Sequence, residues 1–266
     1  MAIVTNQIIT DLYNKFRSIE VTFNKDVSKT TGLQPKKVFL KLKEGPCPCI
    51  LYATSLESAR IIVSLPQILL QEIIKNETNL SLRLSFLKDD LPKPEELNFF
   101  IQGRLSNFTK YSETQSDLFF CTIKYFTKPP DNLIEILGFL LEANVNASKR
   151  KEERLLITVE NMKRMDLGSK NCMIIVDNIP RKGILRDLSF SGTKIIIHGN
   201  AKFLLNKTAE IKILNKKGET LSIVGRILRF EEVQGRRDLA AIILHFTLEA
   251  LPLAYKVLIN NFLLNR

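Results

Sequence analysis

Residues 181–197 read RKGILRDLSFSGTKIII, and their pattern is the clearest indication of the fold in the second half of the chain. A strand-like segment over 181–188 runs into Asp187, and another, over 193–197, follows Gly192. Asp, Ser and Gly are the residues expected where a chain turns between two strands. The stretch therefore predicts two strands joined by a turn with the pattern DxSxxG, formed by Asp187, Ser189 and Gly192.

The second half has further strand-like segments on both sides of this turn. Short apolar runs bounded by turn residues predict strands at 155–159, 172–176, 183–188, 193–198, 209–214, 221–230 and 239–246. Apolar residues at helical spacing predict a closing helix over 251–263. Six or seven short strands separated by turns are typical of a small antiparallel barrel or sandwich.

The first half follows the same plan. After an opening helix over 8–19, strands are predicted at 37–43, 49–53, 60–64, 80–87, 99–108 and 118–126. A short helix is predicted over 66–74, opened by its proline. Helical periodicity returns at 133–141 and ends near Asn144, where a polar connector leads into Arg150.

The two halves also share sequence. GRLSNF at 103–108 matches GRILRF at 225–230, and SARIIV at 58–63 aligns with GTKIII at 192–197. Because the order of strands, turns and helices agrees as well, we interpret the halves as an internal repeat.

The register of the repeat shows what the first half lacks. Ser55 falls on Ser189, whereas Ala53 stands in place of Asp187. Gly192 is replaced too, by a serine. The first half is therefore predicted to be the same barrel without the polar residues of the turn.

A charged segment lies just ahead of the first strand of the second half. RKEER at 150–154 has the spacing RxxxR, and Asp187 follows Arg154 by thirty-three residues. Taken alone, this segment fits a solvated linker, and DxSxxG fits an ordinary turn. The two motifs gain meaning from their joint occurrence and from the strands between and after them.

In this order and at this separation, the two motifs resemble the signature of PilZ domains over about residues 145–266. The resemblance implies a six-stranded barrel with a C-terminal helix, and a receptor for cyclic di-GMP that is not an enzyme. It implies a ligand site formed by Arg150, Arg154, Asp187, Ser189 and Gly192. Lys149 is a candidate secondary contact, because the residue before RxxxR bears on whether one ligand or an intercalated pair is bound, and the sequence leaves both open.

The whole chain is then expected to be mainly β with helices, as two PilZ-like six-stranded antiparallel barrels, each followed by a helix. The expected domains are 1–143, a barrel without ligand motifs; 144–154, a short connector that carries RxxxR and lacks strong secondary structure; and 155–266, the PilZ domain with DxSxxG.

The residue types suit a cyclic dinucleotide. The planar fork of an arginine matches the O6 and N7 acceptors of guanine, and it also stacks on bases and reaches phosphates. Asp187 can accept from the guanine N1–H and N2–H₂ donors, and Ser189 can place a hydroxyl on phosphate or base. Gly192 leaves room for backbone to approach the ligand, or for a φ that no side chain tolerates.

Composition sets the remaining expectations. The chain has 266 residues, a net charge of +11 and a pI near 9.5, so it attracts anions. Residues 1–7 lack a secretory signal pattern, and no window has the roughly 18 apolar residues of a membrane span. We expect a cytoplasmic protein with no membrane partner, no cofactor and no metal, whose Cys47, Cys49, Cys121 and Cys172 are buried reduced thiols.

Three functional hypotheses remain open from the sequence. The first is a conformational switch, in which the ligand orders the connector and changes the arrangement of the two barrels. The second is a module that binds DNA or RNA through its basic surface, with Arg229, Arg236 and Arg237 as exposed candidates and no Trp for a stacking platform. The third is an adaptor that docks an unknown protein partner through its first barrel.

Overall fold

The computed structural model describes residues 6–42, 45–88, 94–112, 115–149 and 153–264. The chain divides into two compact units, Met1–Leu141 and Glu142–Arg266. Each unit contains one closed antiparallel barrel.

The first barrel is built from six strands and a two-residue seventh. The strands are β1 (Val21–Thr22), β2 (Phe39–Leu42), β3 (Gly45–Thr54), β4 (Ser58–Ser64), β5 (Asn79–Lys88), β6 (Glu95–Ser112) and β7 (Gln115–Tyr125). The sheet runs in the order β2-β5-β6-β7-β4 and closes because β3 pairs with both β2 and β4. The short β1 pairs only with the end of β3.

The second barrel has the same strand order. Its strands are β8 (Leu155–Leu156), β9 (Leu167–Val176), β10 (Ile179–Leu188), β11 (Gly192–His198), β12 (Thr208–Asn215), β13 (Thr220–Val233) and β14 (Arg236–His245). Here β10 closes the sheet by pairing with β9 and β11, and the short β8 pairs with the end of β10. The predicted pair of closed six-stranded antiparallel barrels is thus confirmed.

Helices occupy the corresponding positions in both units. They are α1 (Asn6–Phe16), α2 (Lys25–Thr31), α3 (Gln67–Lys75), α4 (Asp131–Lys149), α5 (Val159–Arg164) and α6 (Leu253–Leu264), with 3-10 turns at Pro35–Lys37, Lys202–Leu204 and Leu248–Ala250. Helix α4 follows the last strand of the first barrel and α6 follows the last strand of the second, as predicted.

Alternation along the strands fills each barrel with aliphatic side chains. In the second barrel the interior residues with no exposed surface include Ile174, Ile195, Ile211, Ile223 and Ile242. β-branched side chains pack well on a pleated, half-buried surface, which is why these segments form strands. These side chains fill the interior of the second barrel, so the polar residues of the motifs are found at the ends of its strands and on its outer surface.

The internal repeat is confirmed in register. In the first barrel the β3–β4 pairing shifts between Leu51 and Ala53. In the second barrel the β10–β11 pairing shifts between Leu185 and Asp187, at the aligned positions. A shift of this kind is a β-bulge, which turns the strand end and redirects the side chains that follow it.

The expectation of an irregular connector is wrong for residues 144–149. These residues continue α4 to Lys149, and they pack against α6 within the second unit. Asn146 Nδ2 donates to Asn260 Oδ1 at 2.8 Å, and Ala147 is fully buried in the second core. Apolar periodicity does not predict this part of the helix, because its buried face consists of asparagine and alanine instead of large apolar residues.

Two short helices were not predicted. Helix α2 begins after Asn24, whose Oδ1 accepts from Val27 N–H, and ends at Gly32 in the left-handed conformation. Helix α5 begins after Thr158, whose hydroxyl accepts from Asn161 N–H. The strand expected over 155–159 is correspondingly reduced to the two residues of β8.

Candidate ligand site

The short strand β8 positions the second arginine of RxxxR. Leu155 pairs with Leu188 and Leu156 pairs with Asp187. Ile157 N–H donates to the carbonyl of Arg186 at 2.9 Å, which extends the attachment by one residue. Arg154 directly precedes β8 and therefore lies beside the last residues of β10, where the DxSxxG turn begins.

Arg154 and Asp187 form a direct ion pair. Arg154 Nη1 donates to Asp187 Oδ1 at 2.8 Å, and Lys194 N–H donates to the same oxygen at 2.9 Å. The Asp187 side chain is 10% exposed and that of Arg154 is 40% exposed. Within the described part of the chain, Asp187 Oδ2 receives no hydrogen bond. This oxygen remains available as an acceptor on a carboxylate whose orientation is already fixed.

Ser189 builds the turn. Its side chain is fully buried, its Oγ accepts from Gly192 N–H at 3.1 Å, and its hydroxyl lies 3.0 Å from the carbonyl oxygen of Gly192, to which it donates. Ser189 N–H donates to the same carbonyl at 2.9 Å. The hydroxyl of Ser189 thus makes hydrogen bonds within the turn and does not face solvent.

Gly192 is required for strand packing. A Cβ at this position would lie 2.1 Å from the carbonyl oxygen of Leu244 on β14, well inside any real contact. Its φ lies outside the left-handed region, so the prediction of a φ that side chains do not tolerate is wrong. The close approach that excludes a side chain is made by a neighbouring strand.

Tyr255 supports the turn, and no pattern in the sequence predicts it. Its hydroxyl donates to the carbonyl of Ser189 at 2.8 Å, from a ring that is fully buried against Phe246. Burial, and then the negative charge of Asp187, raise the pKa of Tyr255, so the hydroxyl stays protonated. Helix α6 therefore holds the DxSxxG turn in place across sixty-six residues of sequence.

The other predicted residues lie at the edge of the described chain. Lys149 is exposed and is the last residue of α4. Arg150 lies outside the described residues. Four residues separate Lys149 from Arg154, so the whole RxxxR segment bridges the end of α4 and the start of β8.

The first barrel has the same turn with different charges. Ser58 N–H donates to Ser55 Oγ at 3.0 Å, as Gly192 does to Ser189. The pairing of Val21 with Thr54 places Glu20 where the second barrel has Arg154. Glu20 accepts from Arg60 Nε at 2.7 Å, and Ala53 supplies no carboxylate. At this place the first barrel therefore has a glutamate instead of an arginine, and an alanine instead of an aspartate.

The described part of the chain also bears on the expectations for metal sites, thiols and membrane spans. Among the residues described, no group of three or more His, Cys, Asp or Glu side chains is placed to hold a metal ion. All four cysteines are free thiols; three are buried, but Cys47 is only partly buried, contrary to expectation. None of the helices in the described ranges combines the length and apolar character needed to cross a bilayer.

Two barrels of identical topology, with an Arg–Asp pair beside a DxSxxG turn on the second, define a PilZ-type protein. The chain belongs to the PilZN3-domain family, whose model matches residues 7–144. A Treponema denticola protein named cyclic di-GMP binding protein is 35% identical over 263 residues, which cover 98% of this chain and 83% of the relative.

Solved structures of similar proteins were also found. The Borreliella burgdorferi PlzA protein in complex with c-di-GMP is 18% identical, with 96% of this chain and 98% of that chain covered and a TM-score of 0.42. The K. pneumonia MrkH–c-di-GMP complex is 11% identical, with 92% and 94% covered and a TM-score of 0.33. From its order of a motif-less barrel ahead of a motif-bearing one, the sequence also predicts a likeness to the two-domain spirochaete protein PlzA.

Proposed function

We propose that this chain is a cytoplasmic receptor for cyclic di-GMP, without enzymatic activity, whose site lies on the second barrel. The observation that carries the proposal is the 2.8 Å bond between Arg154 and Asp187, because it joins RxxxR and DxSxxG into one place. The T. denticola relative that matches almost the whole chain is named for binding the same ligand. Arg150, Arg154 and Asp187 are assigned to direct contact with the ligand.

The chemistry of the three residues is complementary to the ligand. The guanidinium of Arg154 is 40% exposed beside a fixed carboxylate, so it can reach a guanine edge or a phosphate while remaining near Asp187. Asp187 Oδ2 can accept from the guanine N1–H and N2–H₂ groups. Arg150, four residues earlier, brings a second guanidinium from the same segment to the dianion.

Ser189 and Gly192 are assigned a different part from the direct contacts expected of them. Both are buried in the turn, and both maintain the position of Asp187. Thr193 Oγ1 adds to this frame by donating to the carbonyl of Asp187 at 2.6 Å. A rigid second layer of this kind lowers the ordering cost of binding.

Titration calorimetry tests the proposal. The unaltered chain should bind cyclic di-GMP in preference to cyclic di-AMP and GTP. Arg154→Ala and Asp187→Ala should each weaken binding by about ten- to a hundredfold, since hydrogen bonds to charged groups contribute ~1.5–3 kcal/mol. Arg60→Ala removes the corresponding ion pair of the first barrel and is the matched control, with unchanged affinity expected. Equal affinities in all four proteins would reject the site.

We also propose that binding of cyclic di-GMP changes the arrangement of the two barrels. Residues 150–154 lie between β8 and α4, and α4 continues to Asp131, in the segment assigned to the first unit. A ligand that captures Arg150 and Arg154 would fix this junction, and it can shift the arrangement by no more than its differential affinity for the two states. Small-angle scattering curves with and without cyclic di-GMP should differ for the unaltered chain and coincide for Arg154→Ala. Superimposable curves for the unaltered chain at saturation would count against the switch.

Charge distribution favours a second candidate function, binding of DNA or RNA by the second unit. Residues 142–266 carry 22 Lys and Arg against 13 Asp and Glu, whereas residues 1–141 carry 17 against 15. Among the three arginines predicted for this function, Arg229 forms an ion pair with Glu231 and Arg236 forms one with Asp238. Arg237 is therefore the one whose positive charge is least neutralised by a neighbouring acid within the described residues. Binding to unrelated DNA that falls steeply with salt and persists in an Arg150/Arg154 double variant would support this function. Loss of binding in that variant would assign the contact to the ligand segment instead.

A further inference from the structure

A second pair of cations lies next to the proposed ligand site on the outside of the second barrel. Lys194 on β11 and Arg229 on β13 both pair with Ile243 of β14, which lies between them. Directly opposed residues of antiparallel strands point to the same face of a sheet. Lys194 and Arg229 therefore flank one apolar residue, and Lys194 is also the residue whose N–H is bonded to Asp187.

One carboxylate balances both cations. Lys194 Nζ lies 2.5 Å from Glu231 Oε2, and Arg229 Nη2 lies 3.7 Å from Glu231 Oε1. The hydrogen bond from Lys194 is the main cause that holds the pKa of Glu231 below its ordinary value, so the acid is ionised throughout the neutral range. The side chains are 35% exposed for Lys194, 43% for Glu231 and 70% for Arg229, and exposed ion pairs of this kind contribute little to stability.

The first barrel lacks this acid. In the register that aligns GRLSNF with GRILRF, Thr109 stands where the second barrel has Glu231. Arg60, which corresponds to Lys194, instead donates to Glu20 on the side of β1. In the barrel with the ligand motifs, the cation on β11 is thus paired with an acid on β13.

We propose that Lys194 is a further contact residue of the cyclic di-GMP site, which takes a phosphate of the ligand, and that Glu231 is an internal competitor that Lys194 leaves on binding. The inference rests on the proposed function. A guanine held by Asp187 would lie against the strand that carries Lys194, because the backbone N–H of Lys194 is 2.9 Å from the carboxylate, and the long lysine side chain can then reach a phosphate of the same ligand. In this exchange the ammonium group of Lys194 leaves the carboxylate of Glu231 for a phosphate of the ligand. Arg229 can then pair with the same phosphate.

Opposite effects of two substitutions test this inference. Lys194→Met should weaken cyclic di-GMP binding by about tenfold through loss of a charged hydrogen bond. Glu231→Gln removes the competitor and should tighten binding by about threefold, in line with the small worth of exposed pairs. Lys212→Met on β12 is the matched control, because Lys212 also pairs with a strand glutamate, Glu210, but β12 is bonded to neither β10 nor β11. It should leave the affinity unchanged.

Calorimetry at one salt concentration, with thermal unfolding to show that the variants are folded, separates the outcomes. If Lys194→Met binds like Lys212→Met, the phosphate contact is refuted while the proposed function stands. If Glu231→Gln binds no more tightly than the unaltered chain, Glu231 is not a competitor. If the unaltered chain fails to bind cyclic di-GMP, the proposed function is rejected and this inference with it.

Discussion

Arg154 and Asp187, thirty-three residues apart in the chain, are joined by a 2.8 Å bond from Nη1 to Oδ1. The two residues of β8 make this possible, because Leu156 pairs with Asp187 and so holds Arg154 next to the end of β10. The arginine motif and the acidic turn are consequently parts of one site. In the first barrel Glu20 takes the place of Arg154, and it pairs with Arg60, which aligns with Lys194, because Ala53 stands in place of Asp187.

Removing the Asp187 carboxylate should destabilise the second barrel as well as abolish binding. Asp187→Ala leaves the Lys194 N–H and the Arg154 guanidinium without their acceptor, and an unsatisfied buried donor costs about 1–3 kcal/mol. Asp187→Asn keeps the acceptor for Lys194 and should recover much of the stability, but not the affinity. Urea unfolding measures the first effect. Equal midpoints for Asp187→Ala and the unaltered chain would contradict the hydrogen-bonding role of the carboxylate.

Gly192→Ala should destabilise the fold by more than about 2 kcal/mol, because the added Cβ meets the Leu244 carbonyl and forces β11 away from β14. Gly218→Ala is the control: its φ is +79° but the space around it is open, so a cost nearer ~1 kcal/mol is expected. Both are read from urea unfolding of the full chain. A smaller loss at Gly192 than at Gly218 would show that strand packing is not what requires this glycine.

Tyr255→Phe isolates one supporting bond. It retains the ring that packs on Phe246 and removes the hydroxyl that donates to Ser189, which should cost about 0.5–1.5 kcal/mol of stability. Because the turn that carries Asp187 is loosened, affinity for cyclic di-GMP should also fall, by less than in Asp187→Ala. Tyr111→Phe, at an exposed position of the first barrel, should change neither quantity. Affinity identical to that of the unaltered chain would show that Tyr255 supports the fold but not the site.

Thiol reactivity should single out Cys47. Burial raises the pKa of Cys49, Cys121 and Cys172 to about 12, so almost no thiolate is present at pH 8, and these groups are shielded as well. The pKa of Cys47 is also raised by burial, but its side chain is only partly covered. Ellman's reagent should therefore modify one thiol first, faster at higher pH, and the others only on unfolding. Fast modification that persists in Cys47→Ser would contradict the burial of the other three.

The strands could be predicted because their signal is local, but the supporting contacts could not. In runs such as 193–197, every second side chain points into the core, and this alternation is visible within a few residues of sequence. The alignment of Ser55 with Ser189 was likewise enough to predict the internal repeat. Helix α2 was missed because an Asn24 cap and a left-handed Gly32 define it, with a single buried apolar residue between them. Tyr255 was missed because its contact to Ser189 depends on how α6 returns to the barrel.

The structure brings Arg154 and the DxSxxG turn together, and we propose for two residues of the turn a part other than ligand contact. A pattern such as DxSxxG records which residues are needed and not what each one touches. Ser189 and Gly192 are needed by the turn and by the adjacent strand β14, and only the packing of the barrel reveals this. For Asp187 and Arg154 the proposal keeps the ligand contacts that their chemistry predicts, and their ion pair places them side by side.

A crystal structure of the chain with cyclic di-GMP is the most direct measurement of the central proposal. A guanine should lie with its N1–H and N2–H₂ edge on Asp187 Oδ2, between Arg150 and Arg154. Ligand bound at any other face of the chain, with the Arg154–Asp187 pair unaltered and no nucleotide in contact with it, would contradict the proposal.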